Sequence, residues 1–529
     1  QSSFEGNGDR TLRDATIPGG WARGDLRTVG GGAIDIRSSE KLQIEDSIFV
    51  RNFAPTGGAI RANHTDVEIS GTSFEMNYAH LGGTLAVDGP LLQNFNRFVN
   101  EVSMFDTYFR ANGAGYQGGA IHSLVPVQVI GSLFANNGVY ADPNPDYMTL
   151  DSGGGAIFAF KVEVHSSAFI ENVVIDDPSA SYPHIFDAEN PASMAFYSGG
   201  AIMLDTFFEP LFDPDYRTST ITESNFEGNV ILLQGEEPAE GRIIARGGAV
   251  AGSLEDSLPA PLEVSQTTFS ENVIVAFDRS FGSGGALALS AGTLQEVGFT
   301  ENEAENGAGL ACANCGTVSV FDSAFVDNQA AGEGAAIHVD WYDFFPQRNP
   351  KDVERPLTVE NVTFSENVGT FGVIAQSITS RRAGELDLAP MVEFSTFYRN
   401  TSSDSGLLHV DEEVNEDAGI IRANIFEGNL EECGVRALSR GYNITDAKAF
   451  CFEPARTDQT DTVADLEVLA DNGGFTPTHA IGEDSPAARS VDVAICPDFD
   501  QRGFLRPGVN CDAGSYESLV LYGGALPRF

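Results

Sequence analysis

Residues 57–77 read Gly-Gly-Ala-Ile-Arg-Ala-Asn-His-Thr-Asp-Val-Glu-Ile-Ser-Gly-Thr-Ser-Phe-Glu-Met-Asn. The glycine pair marks a forced turn, and Val67 and Ile69 show the period-two alternation of a strand with one buried face. The stretch closes on a Phe-x-x-Asn corner. That corner occurs thirteen times, beginning at Phe4, Phe49, Phe74, Phe109, Phe134, Phe169, Phe226, Phe269, Phe299, Phe325, Phe364, Phe397 and Phe426. Five residues before each Phe after the first stands an apolar residue, from Ile44 and Ile69 to Val392 and Ile421. Gly-Gly-Ala-Ile or a near variant recurs between the corners, at 31–34, 57–60, 118–121, 154–157, 199–202, 247–250 and 284–287.

The shortest spacing, 25 residues from Phe49 to Phe74, leaves no room for a crossover helix between parallel strands and suits one bare solenoid coil. The expected fold is therefore an all-β, right-handed parallel β-helix of about fourteen coils, each adding ~4.8 Å of axis. Phe should stack on Phe inside it. The corner residues Asn52, Asn77, Asn112, Asn137, Asn172, Asn229, Asn272, Asn302, Asn328, Asn367, Asn400 and Asn429 should form an amide ladder that satisfies buried turn backbone. Residues repeated in this way are scaffold and not a catalytic set.

Composition narrows the function. With 529 residues the chain exceeds one ordinary core, which stacking repeats resolve. Its 76 acidic and 30 basic residues give a formal net charge of −46, a surface that repels nucleic acid and anionic membranes. Only four of the basic residues are Lys, and an acidic, Lys-poor surface suits salty water or one that recruits divalent cations. No run of about 20 apolar residues spans a membrane. The opening Ser2-Ser3-Phe4-Glu5-Gly6-Asn7 reads as the end of a repeat, so a removed upstream segment and export are expected. Six cysteines in local pairs, Cys312 with Cys315, Cys433 with Cys451 and Cys496 with Cys511, fit disulfides in an oxidising compartment, nearest neighbours being the simplest connectivity.

The alternation of Gly-Gly-Ala-Ile with Phe-x-x-Asn over residues 1–430 resembles the repeats of the chlamydial polymorphic outer membrane proteins, adhesins with a β-helical passenger; no outer-membrane barrel segments follow here. Residues 431–529 read differently. Gly441-Tyr442-Asn443-Ile444, Leu469-Ala470-Asp471-Asn472-Gly473-Gly474-Phe475-Thr476-Pro477-Thr478-His479-Ala480, Asp484-Ser485-Pro486-Ala487, Asp500-Gln501-Arg502-Gly503 and Cys511-Asp512-Ala513-Gly514-Ser515-Tyr516-Glu517 are similar in order and spacing to the choice-of-anchor Q region of bacterial secreted β-helix proteins. That resemblance implies a secreted or cell-surface bacterial protein. Read from its Pro, Gly and Cys content, the stretch is a disulfide-braced cap, in which His479 and Asp471 brace irregular backbone.

Catalytic signatures are sparse. Eight scattered histidines form no metal spacing, and no nucleophile elbow, phosphate loop or dinucleotide fingerprint occurs. Asp142 to Asp146, Asp213-Pro214-Asp215 and Asp322 to Asp327 are candidate cation sites without an EF-hand or nonapeptide pattern, so no cofactor is required and calcium stays an open candidate. Binding function should sit on insertions, at about 138–153, 173–198, 203–218, 230–246, 338–356 and 375–390, with Phe207, Phe208, Phe212, Trp341, Tyr342, Phe344 and Phe345 as candidate anchors for sugar, protein or another copy of the chain. The leading expectation is a non-enzymatic extracellular structural or adhesive protein. One variant of it is a layer or filament subunit joined head to tail. Its rivals are a polysaccharide lyase or glycoside hydrolase on the same scaffold, and a calcium-dependent carbohydrate-binding protein.

Overall fold

A computed structural model of the chain describes residues 3–5, 31–89, 100–141, 151–176, 194–204, 218–233, 242–252, 261–276, 281–313, 317–341, 357–378, 390–410, 417–431, 436–447 and 451–518. Within them nearly all regular structure is parallel strand, and the helical element is a three-residue turn at Val493–Ile495. The fold is a right-handed parallel β-helix with a disulfide-capped C-terminal region. Its residues group into two units, Gln1–Leu262 with Glu271–Ala288, and Glu263–Ser270 with Leu289–Phe529.

In the first unit each coil contributes to three sheets. The first sheet takes two strands per coil: Lys41–Glu45 and Ile48–Val50, then Asp66–Ser70 and Ser73–Glu75, then Val102–Phe105 and Tyr108–Arg110, and so on. Their registers are in step, so that Phe49 lies opposite Phe74, Phe74 opposite Phe109 and Phe109 opposite Phe134. A second sheet follows the corner Asn, with Tyr78–Leu81, Gly113–Gln117, Gly138–Ala141 and Val173–Asp176. The third carries the Ala-Ile segment, with Ile60–Asn63, Leu85–Asp88, Ile121–Ser123 and Ile157–Ala159.

The sequence pattern exposed two strands per unit and not the second sheet, whose residues after Asn are too few and too varied to alternate visibly. The Phe of the expected corner is itself the middle of a short strand, set off from the strand before it by a left-handed residue such as Asp46 (φ 43°) or Asp106 (φ 48°).

Each glycine of the Gly57-Gly58 pair answers a different constraint. Gly57 holds φ 63°, while a Cβ on Gly58 would stand 2.0 Å from the Gly83 carbonyl of the next coil. Every expected insertion with described ends starts or finishes as strand: Gly138–Ala141 and Asp151–Gly153 bound one, and Val230–Leu232 and Arg242–Arg246 another.

The second unit repeats the three-sheet plan. Its first sheet includes Val318–Phe321 and Ala324–Val326, Leu357–Glu360 and Thr363–Ser365, Met391–Glu393 and Thr396–Tyr398, and Asp417–Arg422 and Ile425–Glu427. The ladder narrows through Arg436–Ser439 and Ile444–Thr445 to Phe452–Glu453 and the bridge from Ile444 to Gln459. The chain then leaves the coil. Residues 464–517 run as loops tied by isolated antiparallel bridges, Leu466 with Ile481 and Val491 with Cys511 among them.

Candidate functional site

The repeated aromatic residues fill the interior of both units. Ring centroids of Phe49, Phe74, Phe109, Phe134, Phe169 and Phe226 follow one another at 4.6–4.9 Å in the first unit. Those of Phe269, Phe299, Phe325, Phe364, Phe397 and Phe426 follow at 4.5–5.3 Å in the second. Coil spacing sets this distance, because the strands beneath the rings pair in parallel.

The corner amides saturate the turn. Asn77 Nδ2 donates to the Phe49 carbonyl and to Asn112 Oδ1, each at 3.0 Å, and Asn112 Oδ1 also accepts the Asn77 backbone N–H. The same three bonds recur at Asn112, Asn137, Asn172 and Asn229, and in the second unit at Asn302, Asn328, Asn367 and Asn400. A second amide pair, Asn424 and Asn443, prolongs the same device at the other corner of the last coils.

Cys496 and Cys511 form a disulfide across 15 residues. Cys312 and Cys451 are also disulfide-bonded, while Cys315 and Cys433 lie outside the described residues. Of the candidate aromatic anchors, Phe207, Phe208, Phe212, Tyr342, Phe344 and Phe345 lie outside the described residues, as do Asp142 to Asp146 and Asp213 to Asp215. Trp341 is described only as backbone, in a strand paired with Ile378. Asp322 and Asp327 belong to different corners. The Asp322 carboxylate accepts from Asn361 and Gln295, whereas burial and the neighbouring Glu366 and Glu301 raise the Asp327 carboxyl above its ordinary range. Among the described residues no three His, Cys, Asp or Glu side chains converge as a metal site, and no helix is long and apolar enough to cross a membrane.

Two polar constellations, the first half-buried and the second buried, lie in the second unit. In the first, His338 Nε2 lies 2.9 Å from Ser377 Oγ and 3.1 Å from Glu333 Oε2, and the Ser377 hydroxyl donates to Glu333 directly. Burial opposes ionisation of Glu333, but the hydrogen bond and charge of His338, with Ser377 and His409, outweigh it and bring its pKa to about 2. These are the residue types of a nucleophilic triad in the wrong arrangement. A relay needs the imidazole to face serine with one nitrogen and carboxylate with the other. Here one nitrogen faces both, and the serine proton points at a carboxylate too weakly basic to take it. The cluster ties successive coils together.

The second constellation was not assigned a role from sequence. Asp500, Arg502, Arg506, Asp512 and Glu517, all buried, hold the C-terminal loops to one another and to the coil flank. Asp500 Oδ2 accepts from Arg502 Nη2 at 2.6 Å, Arg502 Nε at 2.9 Å and the Glu517 backbone N–H at 3.0 Å. Arg502 lies 3.6 Å from the Tyr516 ring centroid. Arg506 donates to the Asp512 and Gly514 carbonyls, to Glu517 Oε2 at 3.2 Å and to Asn361 Oδ1 of a coil corner. Desolvation and the Asp512 charge push Glu517 up to about 7 against the pull of Arg506.

Neutral groups complete the seam. Thr363 Oγ1 bonds Gln501 and Ser515, and Thr396 Oγ1 accepts the Ser515 N–H. His479 spans from the Glu467 carbonyl at 2.8 Å to Ser365 Oγ at 3.0 Å, and burial lowers its pKa. Asp471 caps the turn at Gly473. No sequence signal marks this seam: Ser365 stands where the first unit carries Glu75, Arg110 and Glu227, but Ala324, Thr363 and Thr396 stand where it carries Ser73, Tyr108 and Asn225, which are uncharged as well.

No protein-family model matches the chain, and no curated protein matches it.

Proposed function

We propose that this chain is a non-enzymatic structural or adhesive protein of the bacterial cell surface or extracellular space, working as a rigid unit of a layer or filament joined head to tail. The observation that carries this reading is the destination of three buried or half-buried carboxylates among the described residues of the second unit. Glu333 faces His338 and Ser377, Asp500 faces Arg502, and Glu517 faces Arg506. All serve to hold coils and loops in place, where an enzyme would turn some of them toward a substrate. The disulfide-bonded cysteines fit an oxidising compartment. The motif resemblance to the chlamydial polymorphic outer membrane proteins and to the choice-of-anchor Q region supports a surface location.

The test combines electron microscopy with product analysis. The purified chain is imaged with and without a calcium chelator, and it is incubated with neutral and acidic polysaccharides whose products are separated by chromatography. Ordered filaments or sheets and intact polysaccharides are the expected result. Release of oligosaccharides would overturn the non-enzymatic reading, and dispersed monomers in both conditions would overturn the assembly variant. Filaments that disperse with chelator would bring calcium into the assembly.

A further inference from the structure

The outer face of the second sheet in the first unit carries a row that the repeats do not require. In register across the coils stand Phe53, Tyr78, Gly113, Gly138 and Val173. Strand interiors disfavour glycine, and a glycine pair opposed across two coils marks a place where something lies close to the backbone. What lies there is tyrosine. The Tyr78 ring passes 3.0 Å from where a Gly113 Cβ would stand, and Tyr140 folds back to 3.0 Å from that of Gly138 and 3.4 Å from that of Gly113. Both glycines are buried while Tyr140 remains 49% exposed. Phe53 stacks on Tyr78 at 5.6 Å, and His80 on Tyr116 at 6.0 Å. The result is an aromatic pad with polar tips, set low on a rigid sheet.

We propose that this pad binds a neutral polysaccharide, which rests the apolar faces of its sugar rings on Tyr140 and the exposed part of Tyr78 while its hydroxyls bond the Tyr140 phenol. The inference rests on the adhesive reading above and names its ligand class. Three features select that class. A chain of net charge −46 repels acidic polysaccharides. Aromatic rings that also carry hydrogen-bonding tips suit a ligand that is apolar on its faces and polar on its rim. Rings seated on strands lose little freedom on binding, so they favour a ligand as weakly anchored per residue as a sugar chain.

The test is affinity electrophoresis of the full chain in gels containing hydroxyethylcellulose, a mixed-linkage β-glucan or a glucomannan, with polygalacturonate as the acidic counterpart. Wild-type protein should be retarded by at least one neutral polymer and not by polygalacturonate. Tyr140→Ala should weaken that retardation about tenfold, and Tyr78→Ala by a similar factor. Leu430→Ala, which trims an apolar side chain 67% exposed in the other unit, should leave it unchanged. Thermal melting of each variant checks the fold, and Tyr140, half out in solvent, keeps the test open where Tyr78→Ala perturbs it. Retardation of wild type that survives both tyrosine substitutions would overturn the pad while leaving the adhesive reading intact. Retardation by polygalacturonate alone, or by none of the polymers, would overturn the ligand class. Shortened polymer in the gel would instead overturn the non-enzymatic reading itself.

Discussion

The first sheet has the same interior in both units and opposite exteriors. In the first unit Ser73–Glu75, Tyr108–Arg110 and Asn225–Glu227 each bury the central Phe and leave both neighbours partly or fully in solvent. In the second unit Ala324–Val326 and Thr363–Ser365 are buried at all three positions, and Thr396–Tyr398 at the first two. The inward residues are the same, so the coil does not cause the difference. The C-terminal loops do, by lying on the flank and bonding to Thr363, Ser365 and Thr396. Backbone strain moves with them. The left-handed corner that holds Asp, Gly, Ser or Glu in the first unit holds Phe394 at φ 48°, a bulky residue in a region costing on the order of 1–3 kcal/mol. Phe394 is buried, with the Arg506 guanidinium 5.1 Å from its ring centroid, so docking of the loops offsets that cost. Inward residues thus specify the coil, and outward residues specify what covers it.

The strongest way to break the contrast is Arg506→Met. It removes the donor shared by Asp512, Gly514, Glu517 and Asn361 and leaves Glu517 buried without its partner. A loss of about 3–5 kcal/mol is expected in denaturant unfolding of the second unit. Amide exchange should quicken at Gly514 and Ser515 and stay unchanged at residues 73–77. A loss under about 1 kcal/mol would mean the loops are held by something other than this network. Replacing Cys496 and Cys511 together by Ser should come next, at about 3 kcal/mol for a closed loop of 15 residues. Equal melting of the reduced and oxidised protein would contradict that figure.

How much of this the sequence disclosed follows the same division. Phe-x-x-Asn and Gly-Gly-Ala-Ile announce the coil because stacking demands identical residues at each level, and repetition is what a reader of sequence detects. The second sheet escaped because its strands carry no fixed residue besides the glycines of a single stretch. The seam escaped for a different reason. Arg506 meets Asn361 across 145 residues, and Thr363 meets Ser515 across 152, pairings that occur once and leave no period. The tyrosine pad was hidden likewise, since Gly113 and Gly138 look like turn residues until the register sets them side by side.

A smaller effect sharpens the comparison through pH. The folded pKa of Glu517 is raised from 4.5 to about 7, so its contribution to stability is full below 4.5 and is lost as pH rises through 7. Glu333, lowered to about 2, acts the other way: its contribution is present above 4.5 and is lost as pH falls through 2. Between pH 4.5 and 7 wild type should therefore lose stability relative to Glu517→Gln, by up to about 1.4 kcal/mol per pH unit. Parallel stability curves for the two proteins across that window would show that Glu517 does not titrate in the fold.

The smallest effect belongs to the uncovered flank. Glu75→Thr gives the first unit, after Phe74, a small uncharged hydroxyl residue like the Ser365 that follows Phe364 in the second. Glu75 is half-buried, and its contact is a 3.2 Å hydrogen bond from Ser73 on the same strand. Threonine has good strand propensity and removes one of many like charges, so the change in stability should stay within about 0.5 kcal/mol, read from the denaturant midpoint. A loss above about 1 kcal/mol would mean that outward side chains of the first unit help to specify the coil. The contrast between the two flanks would then narrow, because the outward residues of both would be under structural constraint.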